Sequence, residues 1–307
     1  MEILKKQNKS WHSQNARQAW LFMALPILGF CIFTLYNLCW AISRGFFYYD
    51  GTVSGTRFVG MLNYINAFKD IRYWSSWLTT IEFCLMKVPV EMVIALGLAI
   101  LMERKIKGKG FFRAIYYLPT IISLVVTSLV FSNLFEYFGF VNNWLEKFGF
   151  IDMPVEWLSS KWKAMAVLVI GSIWNTFGIN VTYFVAALSN VPQELYEAAQ
   201  IDGATKPKIF RHITLPAITS VARYVLLLSI NGTLHVNEWI ILLTSGGPAS
   251  STHSVMSYLT GNYVPGFAVI ETNIGYGCCL ATITAIIMAG IAFVYLKLSE
   301  KMKDVDY

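Results

Sequence analysis

Charged side chains are scarce in this sequence: Asp, Glu, Lys and Arg make up only 14% of its 307 residues. A soluble domain of this size carries about a quarter. The five cysteines form no C-x-x-C pair and the four histidines are scattered, which argues against a metal site or a disulfide framework. Nucleotide-binding, metalloprotease and serine-hydrolase motifs are also missing. We therefore expect no catalytic motif, no ATPase and no cofactor on this chain.

Hydrophobic residues are abundant instead, at 56% of the chain, and they occur in long runs. About 20 consecutive apolar residues span the hydrocarbon core as a helix, where backbone groups must be bonded within the segment. Six segments are long enough: Ala19–Ala41, Trp77–Met102, Ala114–Phe135, Ala164–Leu188, Ile218–Thr244 and Gly275–Leu296. The sequence predicts an all-α polytopic membrane protein with six transmembrane helices, forming one domain over residues 1–307.

The distribution of Lys and Arg predicts the orientation. Fifteen lie on one side of the predicted membrane, in ranges 1–18, 103–113, 206–211 and 297–303, against seven on the other. Positive charge accumulates on the cytoplasmic side. Both short tails, 1–18 and 297–307, are therefore expected in the cytoplasm, and the net charge of +6 needs no nucleic-acid partner to explain it.

The loop of residues 189–216, between the fourth and fifth predicted spans, is longer than the connection requires. Its sequence, SNVPQELYEAAQIDGATKPKIFRHITLP, predicts two short helices. Pro192 suits a first helical turn, Asp202-Gly203 predicts a turn, and Thr205 is a candidate cap with Pro207 just inside the second helix. Such a helical pair is either a docking element or a piece packed against the bundle, and the pattern alone favours neither.

This loop resembles the EAA loop of type I ABC importer permeases. The residues that carry the resemblance are Glu197, Ala198, Ala199, Asp202, Gly203, Ala204, Phe210, Ile213, Leu215 and Pro216. In that family the loop is a coupling helix that fits a cleft on a cytoplasmic ATPase subunit. The resemblance implies two ATPase subunits that bind ATP and Mg, a homologous second permease, an extracytoplasmic substrate-binding protein, and a multi-pass location in the bacterial cytoplasmic membrane.

Two further stretches resemble the carbohydrate-uptake branch of that family, which includes maltose and multiple-sugar permeases. Residues 58–64 read FVGMLNY and residues 237–248 read NEWIILLTSGGP, close to that branch's FVGLxNY and FDxIWVLTGGGP. Met61, Asn237 and Ser245 depart from the branch pattern. The resemblance implies transport of a carbohydrate, with an oligosaccharide expected, by alternating access.

Polar residues inside the predicted spans are candidates for a substrate pathway, because such residues usually face the bundle or a cavity. In the fifth span, Asn231, His235 and Glu238 share a helical face at i, i+4 and i+7, with Asn237 and Trp239 beside it. Hydroxyl partners next to an aromatic surface suit a sugar. In the fourth span, a second face holds Thr176, Asn180 and Tyr183. For both faces the alternative is hydrogen bonding between helices.

The second span carries Glu82, Lys87 and Glu91. Lys87 and Glu91 are spaced to pair with each other. Their role is either structural or in the pathway.

Other functions stay open from the residues themselves. The same class of importer could carry a polyol or a glycerophosphodiester, although a phosphate would need Arg or Lys in the path and only Lys87 and Arg223 are candidates. A membrane enzyme would need a carboxylate, histidine or metal cluster that the sequence does not offer. A purely structural subunit is a third alternative.

Overall fold

The computed structural model describes residues 18–52, 54–103, 107–268 and 273–303. The predictions made on the remaining residues, which include the positive charges before residue 18 and at 104–105, lie outside the described residues. In chain order the described helices are α1 Gln18–Arg44, α2 Leu62–Lys69, α3 Ile71–Glu103, α4 Lys109–Ile121, α5 Leu124–Leu134, α6 Phe140–Lys147, α7 Lys161–Ser189, α8 Gln193–Ile201, α9 Lys206–Leu234, α10 Glu238–Leu243, α11 Val255–Tyr263 and α12 Ile274–Lys303. A two-stranded sheet, β1 Phe47–Tyr48 and β2 Arg57–Phe58, lies between α1 and α2.

Five of these helices are long and apolar enough to cross a membrane: α1, α3, α7, α9 and α12. Each has at least 27 residues, and a helix of about 20 residues already spans the hydrocarbon core. The pair α4 and α5 gives a sixth span if the two helices together count as one. The all-helical, polytopic fold is therefore confirmed, apart from the small sheet.

The third predicted span, Ala114–Phe135, is not one straight helix. Helices α4 and α5 meet at a bend of 96°, where Ile122 and Ser123 adopt extended backbone angles. The carbonyl oxygen of Pro119, which the break leaves without its helical partner, accepts a hydrogen bond from the Asn175 side chain at 2.9 Å. A side chain from α7 thus satisfies a backbone group that lipid could not.

The fifth predicted span, Ile218–Thr244, was also wrong in its extent, because α9 ends at Leu234. The His235 ring nitrogen Nδ1 lies 2.8 Å from the Asn231 carbonyl oxygen, closer than the His235 backbone N–H at 3.3 Å. A side chain that competes for a backbone carbonyl favours the end of a helix. The Val236 carbonyl freed by the break accepts a hydrogen bond from the Ser254 hydroxyl at 2.5 Å.

The described chain divides into two compact units, and the first contains α1, the sheet, α2 and residues 273–283. Asn63 is buried there and donates hydrogen bonds to the carbonyls of Gly45 and Phe47 at 2.9 and 3.0 Å. Gly60, just before it, has a positive φ of 57°. The residues 58–64 that resemble carbohydrate permeases therefore fix a turn against the sheet.

The second unit runs from Asp70 to the end of α11 and includes α12 from Thr284 onward. Two apolar clusters hold it together. One surrounds Phe131, Leu168 and Ile240; the other surrounds Val181 and Ile218. Helix α7 contributes to both clusters, so its residues face neighbouring helices for most of its length.

One close helix contact depends on a glycine. A Cβ added at Gly178 of α7 would collide with the backbone carbonyl of Tyr116 on α4. The absence of a side chain at Gly178 therefore lets α4 approach α7. The single permease domain over residues 1–307 stays a prediction.

Candidate functional site

A cavity of about 490 Å³ lies inside the second unit. Its wall is formed by α3, α7, the end of α9 and the segment that leads into α10. The volume lies within the range of ligand pockets, about 300–1,000 Å³. Seven of the eight residues predicted to line a substrate pathway are on its wall: Thr176, Asn180, Tyr183, His235, Asn237, Glu238 and Trp239.

Asn231 is the exception, because it is exposed and is not among the cavity residues. The predicted face of Asn231, His235 and Glu238 required one continuous helix, and the break after Leu234 removes it. His235 lines the cavity from the non-helical segment, and Glu238 lines it from the first residue of α10. The prediction of the shared helical face is therefore wrong.

Lys87 and Glu91 form an ion pair on the cavity wall, with Nζ and Oε2 3.2 Å apart and both side chains almost fully buried. Thr176 donates a hydrogen bond to Glu91 Oε1 at 2.6 Å. Lys87 donates one to the Thr233 hydroxyl at 3.3 Å. These contacts join α3, α7 and α9, so the buried charges are compensated within the bundle.

The polar face predicted in the fourth span lines the cavity and also bonds to neighbouring helices. Asn180 lies on the wall and donates a hydrogen bond to the Ser229 hydroxyl on α9 at 2.9 Å. Thr176 likewise lies on the wall while bonding to Glu91. The side chains therefore connect helices and line the cavity at once.

The aromatic surface is at Tyr183 rather than at Trp239. Trp239 is only 4% exposed, and its ring packs edge-on against Phe131 with the ring centres 5.6 Å apart. Tyr183 is 38% exposed and also lies on the wall. A half-exposed ring can stack on the C–H face of a ligand, whereas the ring of Trp239 is committed to the apolar cluster.

Sequence reasoning missed four polar wall residues: Ser172, Asn175, Ser229 and Thr233. The side-chain amide of Asn175 donates a hydrogen bond to the Pro119 carbonyl. The backbone carbonyl of Asn175 accepts one from the Thr120 hydroxyl at 3.1 Å. The i, i+4 spacing of Ser172 and Thr176 could have placed Ser172 on the same face of α7 as Thr176, and so on the wall. The bend that brings α4 against Asn175 gave no such signal.

The stretch 237–248 ends in a tight turn. Gly246 has a φ of 80°, and a Cβ there would collide with the ring of His253. Burial lowers the pKa of His253, which favours the neutral ring over imidazolium. The His253 ring therefore packs directly against the turn at Gly246, in the segment that follows α10.

The loop of residues 189–216 is mostly exposed and forms the first predicted short helix, α8, and the turn after it. The second predicted helix is not a separate short one, because the chain from Lys206 onward belongs to the continuous run of α9. Helix α8 begins directly after Pro192 and ends at a turn in which Gly203 has a φ of 73°. Thr205 occupies the cap position of the second helix, although its side chain makes no capping hydrogen bond. Ile201, at the end of α8, is 86% exposed.

Most of the candidate coupling residues share that exposure. Glu197, Ala198, Asp202 and Gly203 are exposed, Ala199 and Ala204 are partly buried, and Leu215 and Pro216 are exposed within α9. Glu197 accepts a hydrogen bond from the Gln193 side chain at 2.8 Å. The alanines and the glycine leave the backbone open to close approach by another surface.

Apolar helices long enough to span a membrane, with a cavity among them that carries polar side chains on its wall, define a polytopic membrane permease. Residues 92–300 match the family described as binding-protein-dependent transport system inner membrane component. This match covers more than half of the chain, and the chain belongs to that family. It is a multi-pass inner-membrane subunit of a transport system rather than an enzyme, from a family whose permeases carry no cofactor of their own.

Curated relatives agree along most of the chain. The lactose transport system permease protein LacF of Rhizobium radiobacter is 32% identical over 82% of this chain and 86% of its own length. The arabinooligosaccharides transport system permease protein AraP of Bacillus subtilis (strain 168) is 33% identical over 92% of this chain and 89% of its own.

The fold is similar to a solved structure. A chain of a bacterial ABC transporter involved in the import of the acidic polysaccharide alginate superimposes with a TM-score of 0.81. The match covers 95% of this chain and 99% of that one, at 20% identity. The likeness shows that the fold is shared.

Proposed function

We propose that this chain is the permease subunit of an ATP-binding-cassette importer that moves a carbohydrate, specifically an oligosaccharide, across the cytoplasmic membrane. The relatives named for lactose and arabinooligosaccharides support the cargo class. Transport proceeds by alternating access, in which nucleotide binding on partner subunits favours one orientation of the cavity over the other.

The cavity is the observation that carries this proposal. Its wall combines hydroxyl, amide and carboxylate groups with the half-exposed ring of Tyr183, the combination that a saccharide requires. Two buried wall atoms, Asn237 Oδ1 and Trp239 Nε1, lack a hydrogen-bond partner in the described residues. Buried polar atoms are normally bonded. Of the two residues, Asn237 is the more exposed, so its unpaired acceptor fits a hydroxyl-rich cargo that arrives during transport.

The loop of residues 189–216 supports the second half of the proposal. Its exposed helix α8 and the turn at Gly203 would dock on a cytoplasmic ATPase, and the loop leads directly into α9, whose end forms part of the cavity wall. ATP and Mg would bind to two such ATPase subunits. A homologous second permease and an extracytoplasmic binding protein complete the complex, with both termini of this chain in the cytoplasm.

Removal of Glu238 tests the pathway. In the complex reconstituted in proteoliposomes, we expect Glu238→Ala to reduce uptake of labelled oligosaccharides by at least about tenfold, the effect of losing one hydrogen bond to a charged group in a closed site. Assembly with the ATPase should survive. Glu156→Ala, which removes an exposed carboxylate between α6 and α7, is the matched control and should transport normally. Normal uptake by Glu238→Ala would remove this residue from the pathway.

A further inference from the structure

The cavity wall carries one more negative than positive formal charge among the described residues. The described wall residues that carry a formal charge are Lys87, Glu91 and Glu238. Lys87 and Glu91 are paired at 3.2 Å, so their charges offset each other. Glu238 remains, and its side chain is exposed. The wall therefore presents one uncompensated negative charge.

The position of Lys87 makes it a poor ligand for an anionic cargo. Its side chain is 5% exposed, and its ammonium group contacts both the carboxylate of Glu91 and the hydroxyl of Thr233. Recruiting this ammonium would leave Glu91, only 1% exposed, as an unpaired buried carboxylate. Such a charge is strongly unfavourable, so the pair holds Lys87 away from the cargo.

His235 lies on the same wall and its Nδ1 is 2.8 Å from the Asn231 carbonyl oxygen. That contact engages the Nδ1 edge of the ring with the helix backbone. Arg223, the other cation that the sequence places in a span, is not a wall residue. Lys87 is thus the one Lys or Arg side chain on the wall among the described residues.

We propose that this cavity accepts uncharged saccharides and rejects saccharides that carry carboxylates or phosphates, with Glu238 as the specificity-determining residue. The inference rests on the proposed function and narrows its substrate class. Two like charges several ångström apart repel each other, and the more strongly the less water lies between them. An acidic sugar would meet Glu238 with no unpaired Lys or Arg on the described wall to offset the repulsion. A glycerophosphodiester is disfavoured for the same reason.

The electrostatics of the cavity can be measured without any cargo. Gly232 lies on the wall with open space around its Cα, so a thiol introduced by Gly232→Cys faces the cavity. In the assembled complex, we expect a cationic methanethiosulfonate reagent to modify this thiol faster than an anionic one, relative to their rates with a free thiol in solution. Adding Glu238→Gln should lower this preference about tenfold. The complex without Gly232→Cys gives the background from the native cysteines, and Ile179→Cys is a second reporter on the same wall.

Transport tests the selectivity itself. A neutral oligosaccharide and the same compound with one primary alcohol oxidised to a carboxylate are supplied to the complete importer. We expect the acidic-to-neutral ratio of uptake rates to rise about tenfold in Glu238→Gln. The binding protein is the same in both complexes, so its own preference cancels from the comparison. Glu156→Gln removes one exposed carboxylate outside the cavity and should leave the ratio unchanged.

The two assays distinguish a failure of the proposed charge selection from a failure of the proposed function. If oligosaccharides are transported but neither ratio responds to Glu238→Gln, the charge selection is overturned and the proposed function stands. If the reagent preference is as expected but no saccharide is transported, the proposed cargo class fails instead. An anionic reagent that reacts faster than the cationic one would overturn the inference directly.

Discussion

The cavity and the 189–216 loop place their polar residues in opposite ways. Cavity residues come from helices far apart in sequence, chiefly α3, α7 and α9, and two of their three charges, Lys87 and Glu91, are buried and paired. Loop residues are contiguous in sequence and mostly exposed. Substitutions in the cavity should therefore alter stability and transport together, whereas substitutions in the loop should alter only the partnership with the ATPase.

The largest effect is expected from breaking the buried ion pair. Lys87→Met leaves Glu91 as an unpaired buried carboxylate, and removal of one partner from such a pair destabilises a protein by about 3–5 kcal/mol. We expect a marked loss of folded, assembled protein, measured by thermal denaturation in detergent. The double variant Lys87→Met with Glu91→Met should recover most of it.

A second ion pair, which joins α3 to α7, gives a matched control. Lys161 and Glu82 form an ion pair with side chains about a third exposed, 30% and 33%. Exposed pairs contribute about 1 kcal/mol or less. Lys161→Met should therefore change the denaturation midpoint far less than Lys87→Met, and equal losses would contradict the distinction between buried and exposed charges.

An intermediate effect on function, without an effect on stability, is expected from Glu197→Lys. Its carboxylate is exposed and bonds only to Gln193 in the described structure. We expect the ATPase to detach or to lose its transport-coupled stimulation, measured by co-purification and ATP hydrolysis, while the denaturation midpoint is unchanged. Glu146→Lys, the same change on exposed helix α6, should behave as the wild type. Wild-type hydrolysis and transport in Glu197→Lys would refute the coupling role.

The smallest effect is expected from Gly203→Ala. Gly203 has a φ of 73° with open space around it, so the added methyl group strains only the backbone, by about 1 kcal/mol. Hydrogen exchange of α8 should speed up locally. Gly97→Ala, at an open helical position of α3, should instead be neutral or slightly stabilising. Slower exchange in Gly203→Ala would contradict the strained turn.

The same contrast explains what could be predicted. The secondary structure of the loop could be predicted from its sequence, because Pro192, Asp202-Gly203 and Pro207 restrict the backbone of their immediate neighbours. The prediction placed α8 and the turn after it correctly, whereas the second predicted helix proved to be the first part of α9. The pairing of Lys87 with Glu91 could be read in the same way, since both lie on one helix four residues apart.

The cavity could be predicted only in part. Seven wall residues were recognised because polar groups are conspicuous in apolar spans. The predicted helical face through Asn231 was wrong because the residues stay apolar on both sides of the break at His235, so hydropathy gives no sign of it. At the break, the His235 ring competes with its own backbone N–H for the Asn231 carbonyl. The 96° bend between α4 and α5 was hidden for the same reason: an apolar run has the same composition whether the helix is straight or broken.

The sequence by itself determined that this chain resides in a membrane, which segments are apolar enough to span it, and where helix α8 and the turn after it lie. These properties follow from composition and from interactions among neighbours in the chain. Only the tertiary structure decided which polar side chains meet. Glu91 bonds to Thr176 on α7, 85 residues further along the chain. Lys87 bonds to Thr233 on α9, 146 residues further along. Pairing at that distance depends on how the helices pack, and it leaves Glu238 as the one charge on the described wall without a partner.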